Sequence, residues 1–204
     1  HMLAHLATQL AAAHIPANIL CTIVSDTLAT CEASSIMGDD ELGPWRVLLA
    51  EQYASLSRWR DAAQALQSIT PHAARRIPQL SFAQLCVRVV ELWLQDLPTH
   101  VAEAEQAIKR ANSAILDERD NKALVHELWS YHARILAMQH RFMEAAARYM
   151  DLPHADMHAA VYAIISPPSA QRTSMLTRLA QQASAWPFAQ TLRHAAEARF
   201  LRCL

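Results

Sequence analysis

At 204 residues, 52% of them hydrophobic, the chain is long enough for one domain, or at most two, with a sizeable core. A formal net charge of −1 offers no basic face for a nucleic acid, and no apolar run reaches the roughly 18 residues that a membrane span requires. Two glycines, Gly38 and Gly43, are all there are, which excludes a glycine-rich phosphate loop and a nucleophile elbow and predicts an all-α protein with turns of positive φ nearly absent elsewhere.

His1-Met2 resembles a cloning scar and carries no functional argument. Residues 2–14 are expected to form a short helix closed by Ile15-Pro16, and 17–36 a longer one with Cys21, Val24, Leu28 and Cys31 on one face. The stretch 37–43 reads as an acidic loop, with Pro44 in the first turn of the next helix, whose buried stripe is Trp45, Leu49, Tyr53 and Leu56.

A phrase then begins that returns twice. It runs Arg58-Trp59-Arg60-Asp61-Ala62-Ala63-Gln64-Ala65-Leu66, then His100-Val101-Ala102-Glu103-Ala104-Glu105-Gln106-Ala107-Ile108, then Arg141-Phe142-Met143-Glu144-Ala145-Ala146-Ala147-Arg148-Tyr149. With Trp59, Val101 and Phe142 as equivalents, Asp61, Glu103 and Glu144 fall in register, as do Ala62, Ala104 and Ala145. The steps are 42 and 41 residues, within the range of two-helix solenoid repeats. A large apolar residue, an acid and alanines describe the first turn of a helix that lies close against a neighbour. The acid suits the positive end of the helix dipole. Leu66, Ile108 and Tyr149 close the far end of each seam. Ala50 and Ala133 precede their phrases at one offset, and Tyr53 and Leu136 at another, so helix, tight turn, helix is the unit.

Between the copies, Thr70 to Pro78 is the most loop-like stretch. Ser81-Phe82-Ala83-Gln84 has the capping-box pattern, opening a helix that carries Phe82, Leu85, Cys86, Val89, Leu92 and Trp93 inward and ends at Leu97-Pro98. Residues 116–121 are a polar connection, followed by a seam of Leu124, Leu128, Tyr131, Ile135 and Met138. After the third phrase, Pro153, Ser166-Pro167-Pro168 and Pro187 divide shorter helices at 154–165, 169–181 and 188–203. The expected fold is a right-handed superhelical array of antiparallel helix pairs, a TPR-like or HEAT-like α-solenoid of about eleven helices. It is read as one repeat domain over 2–204: N-terminal helices over 2–43, three helix-turn-helix repeats over 44–152, and shorter helices over 153–204.

No catalytic, cofactor-binding or metal site emerges. His154 and His158 share a helix face but lack further ligands beyond Asp151 and Asp156, and exposed helical histidines account for them. His126-Glu127 begins like a zinc-protease helix, yet His132 is six residues on, about 240° around the helix, where the motif needs four. The tryptophans at 45, 59, 93, 129 and 186 read as packing residues, and Arg75-Arg76 as a solvated pair. Arginine far outnumbers lysine, of which there are only Lys109 and Lys122, a bias read as genome composition. Cys21, Cys31, Cys86 and Cys203 show no close pairing, and no secretory leader is visible, which predicts an intracellular, reduced protein.

The phrases also carry a family resemblance. Trp59 to Leu66, Ala102-Glu103-Ala104 with Ala111-Asn112, Tyr131 to Leu136 running into Arg141 to Tyr149, and Gln171-Arg172-Thr173-Ser174-Met175-Leu176 together resemble the COP-9 signalosome subunit four family of PCI-domain proteins, in order and spacing, from about residue 45 to 200. Ser166-Pro167-Pro168 departs from the family pattern. The family continues into a winged-helix PCI module, which this chain does not reach by Leu204, so an N-terminal helical-repeat piece is expected. The resemblance implies a non-catalytic scaffold subunit, with no catalytic residues or cofactor. It implies an arm making protein contacts in cullin deneddylation, partnered by other signalosome subunits and the cullin–RING ligase, in cytoplasm and nucleus, without nucleic acid or membrane. The alternatives are a related subunit of the proteasome lid and an unrelated TPR-like adaptor that captures peptides.

Overall fold

The computed structural model describes residues 9, 15–34, 38–75, 77, 81–97, 99–116, 121–153 and 156–182. Among them are ten helices and no strand: α1 (Ala17–Ser34), α2 (Asp39–Ser55), α3 (Trp59–Gln67), α4 (Pro71–Ala74), α5 (Phe82–Gln95), α6 (Val101–Leu116), α7 (Lys122–Met138), α8 (Phe142–Met150), α9 (Asp156–Ile165) and α10 (Ala170–Gln182). The all-α expectation holds, and consecutive helices pack in pairs as in an α-solenoid. The expected helix over 188–203 lies outside the described residues, and so does that over 2–14 apart from Gln9, which is helical. The chain divides into two compact units, one ending at Leu128 and one starting at Trp129, within α7.

In the first unit α1 packs on α2, α2 on α3, α3 on α5 and α5 on α6. Leu20, Cys21, Val24 and Leu28 of α1 meet Leu42, Trp45, Leu48 and Leu49 of α2 in one cluster. The acidic stretch is helix rather than loop: α2 starts at Asp39, and Glu41 lies in its first turn, where the dipole favours negative charge. Pro44 therefore stands inside the helix, not at its opening. Gly43 is buried against α4, and a Cβ there would stand 3.3 Å from the Ala73 carbonyl oxygen. Of the stretch from Thr70 to Pro78, the part from Thr70 to Arg75 holds more order than its composition suggests. The Thr70 hydroxyl accepts from the Ala73 N–H at 3.2 Å and Pro71 sits at the first helical position, which together start α4.

The capping box is present, Gln84 N–H donating to Ser81 Oγ at 3.2 Å and Ser81 N–H to Gln84 Oε1 at 2.8 Å. Of the inward residues read from the sequence, Phe82 is half-buried and the other five are buried, but so are Ala83, Val87, Val90 and Leu94. Packed between α3 and α6, α5 is covered on more faces than an amphipathic stripe would require. Each large side chain buried there contributes about 1.5–3 kcal/mol.

In the second unit α8 packs on α9 and α9 on α10. The seam is built from small residues: Ala133, Ala146, Ala159 and Ala163 are each 0% exposed. Phe142 and Tyr149 of α8 stack on Tyr162 of α9, with ring centroids 6.3 and 5.5 Å apart, and His158 stacks on Tyr149 at 5.2 Å. Ser166 ends α9 by donating its hydroxyl to the Tyr162 carbonyl at 2.6 Å, and beyond Pro167-Pro168 the Ser169 hydroxyl accepts from the Arg172 N–H, opening α10.

The recurring phrase is recovered to the residue. Trp59, Val101 and Phe142 are the first residues of α3, α6 and α8, the acids follow two places on, and Ala62, Ala104 and Ala145 are each 0% exposed. Leu66, Ile108 and Tyr149 are buried. The turn that precedes α3 matches the one that precedes α8. Arg58 N–H donates to the Tyr53 carbonyl and Arg141 N–H to that of Leu136, both at 2.9 Å, while Ser57 and His140 bond Ala54 and Ala137. This is a Schellman closure, and Ser57 (φ 58°) and His140 (φ 60°) take the left-handed position that glycine usually fills. Few glycines did not mean few such turns.

Two stripe assignments change. Leu56 is 39% exposed and Met138 44% exposed, because α2 and α7 end at Ser55 and Met138 and the Schellman turn rotates these positions away from the seam.

Candidate functional site

No catalytic, cofactor or metal residues are expected from the sequence, and of the histidine pair it weighed only one falls among the described residues. His154 lies outside the described residues, and His158 rests on Tyr149. Among the described residues no three His, Cys, Asp or Glu side chains are placed to hold a metal. Cys21, Cys31 and Cys86 are in no disulfide, with burial pushing the Cys21 thiol up; Cys203 lies outside the described residues. Trp45 and Trp93 are buried and Trp59 and Trp129 half-buried, as packing residues would be, and Trp186 is outside the described residues.

What the fold does build is a cleft of 460 Å³ in the first unit, a volume within the range of ligand sites. Its two walls are helix faces. Val47, Ala50, Glu51 and Ala54 recur at helical spacing on α2, and Gln84, Arg88 and Glu91 do so on α5. The floor comprises Leu66 of α3 with Leu85 and Leu92 of α5, and the α7 end is closed by Leu124 and Glu127. Ala50 and Ala54 leave the space that larger residues would fill. The repeat-phrase helix α3 thus serves as the back of the cleft, while the helices that precede the phrases form its sides.

The rim is charged. Glu51, Glu91 and Glu127 supply three carboxylates against the single guanidinium of Arg88, which is paired to Glu91 one turn along α5. Desolvation in the cleft pushes the Glu51 carboxyl above the usual carboxylate range, and Arg88 opposes that shift. Sequence reasoning did not find this site, since Glu51 and Glu91 lie on different helices and the spacing within either helix carries no signal of the other.

The second unit has shallower grooves along α8, of 290 and 320 Å³, that share Ala147, Asp151 and Gln171. Arg141, Arg148 and Arg178 alternate there with Glu144 and Asp151, so neither sign of charge prevails.

No protein-family model matches the chain. Two curated relatives share a description: COP9 signalosome complex subunit 4 of Caenorhabditis elegans, 30% identical over 181 residues, covering 80% of this chain and 43% of the relative, and COP9 signalosome complex subunit 4 of Arabidopsis thaliana, 30% identical over 128 residues, covering 62% of this chain and 32% of the relative. The chain therefore spans less than half the length of the curated relatives it matches. The resemblance to this family read from the repeat phrases is borne out. No described helix is long and apolar enough to cross a membrane.

Proposed function

We propose that this chain is the N-terminal helical-repeat arm of a signalosome subunit, a non-catalytic scaffold that makes protein contacts in cullin deneddylation. What supports this reading above all is the similarity to the two curated subunits, which are described as parts of a signalosome complex and which match up to 80% of the chain. Other signalosome subunits and the cullin–RING ligase are its partners in this reading, in cytoplasm and nucleus. The helix faces and the 460 Å³ cleft that the described residues form suit a binding surface.

The test is affinity purification of the full-length parent protein from its source cells, with partners identified by mass spectrometry. Recovery of the other signalosome subunits together with cullins is the expected result. Recovery of proteasome-lid subunits instead would overturn it in favour of the related lid assembly. Recovery of neither set would leave the peptide-capturing adaptor, which the 460 Å³ cleft favours as the second reading.

A further inference from the structure

We propose that the charged stripe along α8 pairs with the same stripe on a second copy of this chain, the two helices running antiparallel. Arg141, Glu144, Arg148 and Asp151 line one shallow groove of the second unit, the first and last of them capping α8. They stand three or four residues apart, so their charges alternate along about 15 Å of a single face. Leu136, Ala147 and Gln171 beside them carry no charge. Laid parallel, two such stripes oppose like charges. Laid antiparallel, they oppose Arg141 to Asp151 of the second copy and Glu144 to Arg148 of the second copy, and the two-fold axis repeats both contacts. Every charge then faces its opposite, and the small Ala147 keeps bulk away from the middle.

The repeat phrase accounts for only half of the stripe. Arg141 Nε donates to Glu144 at 2.8 Å, as Arg58 Nε does to Asp61 at 2.7 Å, and Arg141 and Glu144 both stay exposed. The later two positions are no requirement of the phrase: Ala65 and Ser68 stand there in the first copy, Ala107 and Arg110 in the second. Asp151 also lies at the C-terminal end of α8, where the helix dipole disfavours a negative charge. Among the described residues neither the Arg148 nor the Asp151 side chain has an ion pair. The Arg141–Glu144 pair need not open to admit them, since a carboxylate accepts from two guanidinium groups and a guanidinium has five N–H donors.

Exposed ion pairs add little affinity each and mainly set partner and register, so the expected dimer is weak, with a Kd on the order of 0.1–1 mM at low salt. Sedimentation equilibrium on the whole chain tests it. Raising the salt from about 50 to 500 mM should weaken self-association about tenfold or more. Arg148→Glu and Glu144→Arg should each leave a monomer, because either change opposes like charges twice across the axis. Mixed in equal amounts, the two variants should associate as the wild type does, since the reversed charge of one meets its opposite on the other. That recovery also shows that both variants are folded. The double variant, Glu144→Arg with Arg148→Glu, should regain self-association by the same reasoning. A wild-type chain that stays monomeric at millimolar concentration and low salt would overturn the proposal and leave the stripe to solvent or to a different protein. Association indifferent to salt, single variants that associate like the wild type, or a mixture that stays monomeric would each overturn it as well.

Discussion

The turns entering α3 and α8 are built alike, and the turn entering α6 reaches the same end by other means. In the first and third copies a left-handed Ser57 or His140 closes the preceding helix, and the next residue, an arginine, reaches forward to the acid of the new helix: Arg58 Nε to Asp61 at 2.7 Å and Arg141 Nε to Glu144 at 2.8 Å. In the second copy Thr99 has no positive φ, and His100 takes the arginine's place. Its ring lies between Asp96 at 3.3 Å and Glu103 at 3.4 Å and packs against Trp93, with centroids 5.3 Å apart. What all three copies keep is a side chain before the helix paired with an acid in its first turn, and a fully buried alanine after that acid. The backbone route into the helix is free to vary; the close seam behind it is not.

Breaking the shared element should cost most. Ala62→Trp, Ala104→Trp and Ala145→Trp each force a large ring into a seam with no exposed surface, and a loss of about 3 kcal/mol or more is expected, read as a fall in thermal midpoint by circular dichroism. Unchanged midpoints in all three would refute the repeat assignment. The differing element can be sharpened with glycine. Ser57→Gly and His140→Gly relieve a left-handed L-residue and should each gain about 0.5–1 kcal/mol in urea titration, whereas Thr99→Gly should lose stability by adding only unfolded-state freedom. A gain at Thr99 equal to the others would erase the distinction.

The smallest effect concerns the acids. The Arg141 hydrogen bond holds the Glu144 carboxyl below its ordinary 4.5, and Glu103 is held down by a bond from its own backbone N–H, with His100 adding to it. A carboxyl lowered in the folded state contributes stability that is complete above its unfolded pKa and is lost as pH falls through the folded value. Thermal midpoints should therefore drop on acidification below about pH 4.5, and Glu144→Gln and Glu103→Gln should each flatten part of that drop. An acid limb identical in wild type and both variants would show that these first-turn pairs do not couple to folding.

Much of this was legible in the sequence because it is local or strictly periodic. The capping box, the three helix starts and the buried alanines follow from residue type and spacing alone. The start of α2 was not, since Gly38 and the acidic run match loop chemistry as well as they match a helix's first turn. The Schellman turns escaped because the left-handed position was sought through glycine, whereas five-residue hydrogen bonds and the packing beyond them hold Ser57 and His140 there. The cleft was illegible for a different reason: its floor and rim are assembled from four helices, and no single stretch of sequence contains them.

The arginines show how far the end of one helix depends on another. Arg46 of α2 donates to the Ser68 carbonyl at 3.1 Å, and Arg110 of α6 donates to the carbonyls of Gln67 and Ile69, so the C-terminus of α3 is gripped from both sides. Arg172 does the same for the end of α9, donating to Ala163 and Ile164. A planar guanidinium can satisfy two carbonyls at once, which a lysine cannot do in that fixed geometry. At the ends of α3 and α9 a neighbouring helix adds donors to those of the helix's own last residues, and a peptide cut to the limits of α3 would lose them along with its partners.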